Sequence, residues 1–130
     1  MSDSDSPADQ PPRQRRETSA EVLLTRAARS LVAPVHEKLG AWQAECIKLE
    51  TMAQRSKAAG RRDVGLSEAA RSLLGYVSRQ AETFERSVES APEPIRRHGR
   101  VSDTRMVLRR LEGRLAATLS DLGDPPAAMR

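Results

Sequence analysis

Residues 19–58 read SAEVLLTRAARSLVAPVHEKLGAWQAECIKLETMAQRSKA, forty positions with a single proline and a single glycine among them. Leu24, Ala28, Leu31, Val35, Leu39, Trp42, Cys46, Leu49 and Ala53 recur at steps of three and four. That is the period of a helix turning one side to its neighbours, as in a coiled-coil seam. Pro34 interrupts the pattern. An interior proline deletes a backbone hydrogen bond and clashes with the preceding turn, at about 3 kcal/mol. The sequence therefore predicts a kink or break near Ala33, with one helix over 19–33 and another over 34–58.

Working outward, Gly60 and Gly65 fall where a C-cap and a turn want glycine. A second helix is predicted over 67–91, with Ser67 as N-cap and a stripe of Ala70, Leu73, Leu74, Val77, Ala81, Phe84 and Val88. Pro92 and Pro94 stop it. A basic loop follows, and a third helix is predicted over 102–122. Ser102 is its expected cap, Val101 and Met106 have staple spacing across that cap, and Leu108, Leu111, Leu115, Leu119 and Leu122 line one face. Gly123 closes it, ahead of Pro125 and Pro126.

Lengths then select an architecture. Unbroken, 19–58 spans about 60 Å, whereas the other two predicted helices reach about 38 Å and 32 Å. A break at Pro34 leaves 34–58 matched to its neighbours. The expected fold is all-α: an up-down-up three-helix bundle with an additional N-terminal helix set off by a proline kink. Composition agrees, since the only aromatics are Trp42, Tyr76 and Phe84, and strands draw on residue types that are scarce here. The helical bundle domain is expected over 18–123. Residues 1–17 run from acid (Asp3, Asp5, Asp9) to base (Arg13, Arg15, Arg16) without a hydrophobic period, which predicts a disordered tail, and 124–130 a second.

The surplus helix 19–33 carries an apolar stripe that either folds back on its own bundle or meets another chain. Leu23, Leu24, Arg26, Ala28, Leu31 and Val32 are the candidate partner-binding residues. A second candidate surface is basic. Between positions 95 and 115 stand Arg96, Arg97, Arg100, Arg105, Arg109, Arg110 and Arg114, against only Asp103 and Glu112. Arg105 with Arg109, and Arg110 with Arg114, are like-charge i, i+4 pairs, each unfavourable by about 0.2–0.5 kcal/mol. Something acidic is therefore expected nearby. Nucleic-acid phosphates, an acidic protein partner, or internal neutralisation by Glu82, Glu85, Glu89 and Glu93 each meet that need.

Catalytic patterns are missing. His36 and His98 lie on different elements with no HExxH motif. Cys46 is about 15 Å along the helix from His36, too far for a thiolate–imidazole pair, and sits on the apolar stripe as a small core residue. The glycines form no phosphate loop. A lone cysteine, an acidic start and no apolar run beyond three residues point to a cytoplasmic protein without membrane span or signal peptide. No cofactor, metal or small-molecule substrate is expected. The reading is a non-enzyme: a protein–protein interaction module of adaptor, accessory or assembly type, possible self-association included. A nucleic-acid-binding accessory protein is the alternative.

Overall fold

The computed structural model describes residues 18–126; the tail expected at 1–17, and residues 127–130 of the one expected at 124–130, lie outside the described residues. Among the described residues the chain is all-helical, with four helices packed against one another: α1 (Ser19–Ala58), α2 (Val64–Ser90), the one-turn α3 (Glu93–Arg96) and α4 (Gly99–Asp121). No strand occurs among the described residues.

α1 begins at a capping box. Thr18 accepts from the Glu21 amide at 2.9 Å, and the Glu21 carboxylate accepts from the Thr18 amide at 2.8 Å. It then runs 40 residues without interruption, through Pro34. The expected division into 19–33 and 34–58 is therefore corrected. The reason is the direction in which the proline faces. Pro34 and Ser30, whose carbonyl loses its donor, are both exposed, so the missing bond lies on the solvent side, where water can reach that carbonyl. Val32 and Val35 on either side are 2% and 4% exposed and anchor both halves to the same core.

Two helix ends were legible as glycines. Gly60 (φ 67°) and Gly123 (φ 78°) occupy the left-handed position after α1 and α4. The Arg61 amide returns to the Ser56 carbonyl and the Asp124 amide to that of Leu119, the Schellman pattern in both cases. Asp124, assigned to a tail from sequence, is thus part of a cap. The starts were misplaced. α2 is capped by Asp63, which accepts from the Leu66 amide at 3.0 Å, so Gly65 is helical and Ser67 is buried. α4 starts at Gly99 with His98 as its cap, Nδ1 accepting from the Arg100 amide at 3.1 Å. Val101 is consequently inside the helix and wholly buried, Met106 is exposed, and the expected staple does not form.

The three long helices enclose one core, in which Trp42, Leu49, Leu74, Phe84, Leu108 and Leu115 are its bulkier members. Cross-helix pairs give the directions. His36 meets Thr104, Glu50 meets Arg114 and Lys57 meets Asp121, so α1 and α4 run the same way. Arg71 meets Asp124, Ser78 meets Glu112 and Glu85 meets Arg105, so α2 opposes α4.

Candidate interaction surfaces

The N-terminal part of α1 is less surplus than its length suggests. α3 packs against α1. Because His36 already faces Thr104 near the start of α4, the 91–98 connection covers α1 below that level. Ala28 is wholly buried, Val32 joins the core, and Leu24 and Leu31 are half-buried. Ala28 and Val32 are thus occupied within the monomer, a correction to their assignment as partner contacts. What stays open is residues 18–23, Arg26, Arg29 and Ser30, with Val22 39% and Leu23 59% exposed. Val22 was not singled out from sequence. Its signal was its phase, since it falls on the opposite side of the helix from Leu24 and Ala28.

The arginine cluster divides in two. Arg105 donates from Nε and Nη2 to the two Glu85 oxygens at 2.6 and 2.9 Å, bridging α4 to α2. Arg114 does the same to Glu50 of α1. These guanidiniums hold both carboxyls below their ordinary range, chiefly through those hydrogen bonds. Arg97 makes an i, i+4 pair with Glu93 at 3.6 Å, and Arg96 donates to the Ala91 carbonyl at 2.7 Å. Arg109 and Arg110 are exposed and Arg100 half-exposed, and among the described residues none of the three makes an ion pair. Internal neutralisation therefore operates for Arg97, Arg105 and Arg114. Of the four expected carboxylates only Glu85 and Glu93 serve. Glu50 was missed because it belongs to the first helix, whose register against the third no local pattern reveals.

Between α2 and α4 lies a groove of about 590 Å³, floored by Ala81 and Leu108 and walled by Glu82, Glu85, Glu89, Arg105 and Arg109. The Glu85 bridge to Arg105 crosses it. Carboxylates and guanidiniums alternate there, so neither sign of charge dominates.

The groups with potential chemistry are dispersed. Cys46 is fully buried and its thiol is pushed up by burial first and by Glu50 second, away from the reactive thiolate. His36 Nε2 bonds the buried Thr104 hydroxyl at 2.9 Å, and His98 caps α4. Among the described residues no three His, Cys, Asp or Glu side chains gather as a metal site, and no helix is long and apolar enough to cross a membrane. Compared with known proteins, the chain matches no family, no curated sequence and no solved structure.

Proposed function

We propose that this protein is a non-catalytic helical interaction module, an up-down-up bundle whose first helix extends an arm toward a protein partner. It would serve as an accessory, adaptor or assembly subunit in the cytoplasm. The observation that supports it is the open end of α1, where Val22 and Leu23 stand exposed on a capped, regular helix instead of covering the core. Arg26 beside them supplies charge at the rim of that contact, the usual arrangement of apolar centre and polar border. The dispersal of His36, His98 and Cys46 supports a non-enzyme.

The nucleic-acid alternative loses ground because Arg105 and Arg114, two of its seven contacts, are committed to Glu85 and Glu50. A salt titration against random duplex separates the readings, since binding through phosphates weakens steeply with salt. Affinity capture with the wild-type chain and with Leu23→Asp tests the leading one. A protein retained by the first and lost by the second, with unchanged circular dichroism, supports the arm. Identical capture by both variants rejects it.

A further inference from the structure

Opposite the core, α1 carries a second stripe. Val22, Arg26 and Arg29 lie on its N-terminal part, Ala33 at the middle, and Glu37, Gly40, Ala44 and Ile47 beyond. At about 100° per residue all eight fall within about 40° of Ala33, while Val35, Trp42 and Leu49 point about 160–180° away. Every one is exposed apart from half-buried Ala33, and Ile47 is 54% exposed. On this stripe no charge occurs from Gly40 to Ile47, in a chain of which 31% of residues are charged. Its charges are segregated, with two bases before Ala33 and one acid after it.

We infer that two copies of the chain pair antiparallel along this stripe, with the two-fold axis at Ala33. Residues 19–29 of each then lie on the 37–47 face of the other. This rests on the interaction-module reading and names its partner as a second copy. Antiparallel symmetry about Ala33 sets position 33 + n against 33 − n. Arg29 then meets Glu37 of the second copy, twice over. Arg26 passes over Gly40 and Val22 packs on Ala44, where small residues allow the backbones to approach. The overlap from 19 to 47 is about 42 Å at 1.5 Å per residue. A parallel pair would instead set Arg26, Arg29 and Glu37 against their own copies, like charge on like. The arrangement is isologous, so it closes as a dimer and leaves no open end. It also accounts for the excess length of α1, whose exposed arm is what reaches the partner.

Sedimentation equilibrium on the full chain tests this, together with the charge-reversal variants Arg29→Glu and Glu37→Arg. These positions are exposed, so the helicity of the monomer should hold. Wild type is expected to be dimeric at micromolar concentration. Each single reversal creates two repulsive contacts and should raise the dissociation constant roughly tenfold. The double variant should recover it. Ala33→Cys should cross-link to its mate across the axis under mild oxidation, whereas Ala117→Cys, exposed on α4, should not. Strictly monomeric wild-type chain overturns the inference while leaving a hetero-partner at the arm to the capture experiment. A dimer insensitive to both reversals and without the Ala33→Cys cross-link also overturns it, and places self-association on another face.

Discussion

Arg114 of α4 holds Glu50 of α1 through two parallel hydrogen bonds, Nε to Oε2 at 2.9 Å and Nη2 to Oε1 at 2.6 Å. The two side chains are 37% and 33% exposed, so water screens the pair partly while the fork fixes the register of α4 along α1. Arg114→Met keeps the apolar stem and removes the fork. It should lower unfolding free energy by about 1 kcal/mol in urea titrations, most of a charge-assisted pair after screening. An unchanged midpoint would show that the register is set by the leucines alone.

Acid should loosen the bundle in a defined window. Glu50 and Glu85 have folded-state pKa values below the ordinary 4.5. The unfolded chain therefore binds more protons between the two values, and stability there rises with pH. The contribution is complete above 4.5 and declines as pH falls below it through the folded values. Melts at neutral pH and at steps below 4.5 should show this fall, and the double variant Glu50→Gln, Glu85→Gln should flatten much of it.

Leu115 is fully buried among the three long helices. Leu115→Ala removes apolar contact and leaves a void, for about 3 kcal/mol of lost stability. Denaturant midpoints measure it. A cost under about 1 kcal/mol would mean the helices close on the gap freely.

Pro34→Ala should raise stability, because it returns an amide to the Ser30 carbonyl and removes the ring from the turn. The gain is smaller than the full helix-interior penalty, since that carbonyl lies on the solvent side and proline also restricts the unfolded chain. About 1 kcal/mol is expected from thermal melting.

Alanine should have opposite effects at two glycines. Gly60 has φ 67°, where a Cβ is strained, and Gly60→Ala should cost about 1 kcal/mol. Gly113 is within α4 with nothing within 4 Å of a built Cβ, and Gly113→Ala should gain about 0.5–1 kcal/mol.

Which parts of this protein could be read from the chain follows a physical division. Period exposed the core faces, so Trp42, Cys46, Leu49, Leu74, Phe84, Leu108 and Leu115 were identifiable as they stand. Glycines at left-handed positions exposed two helix ends. Starts were harder, because Asp63 and Ser67 both make good caps, and His98 is an uncommon one whose imidazole competes only in this geometry. The candidate surfaces were the least legible. Whether Ala28 and Val32 face a partner or the 91–98 connection depends on where the chain returns, and whether Arg114 is free depends on a carboxylate sixty-four positions away.

Proline 34 keeps its place only by phase. Inserting or deleting one residue between it and Leu31 would turn the two halves of the helix by about 100° relative to one another and take them out of phase on their common core, and an insertion would also carry the ring toward the hydrocarbon side. The outer surface around this point should therefore accept many side-chain exchanges yet tolerate almost no change in length, a pattern usually associated with buried segments.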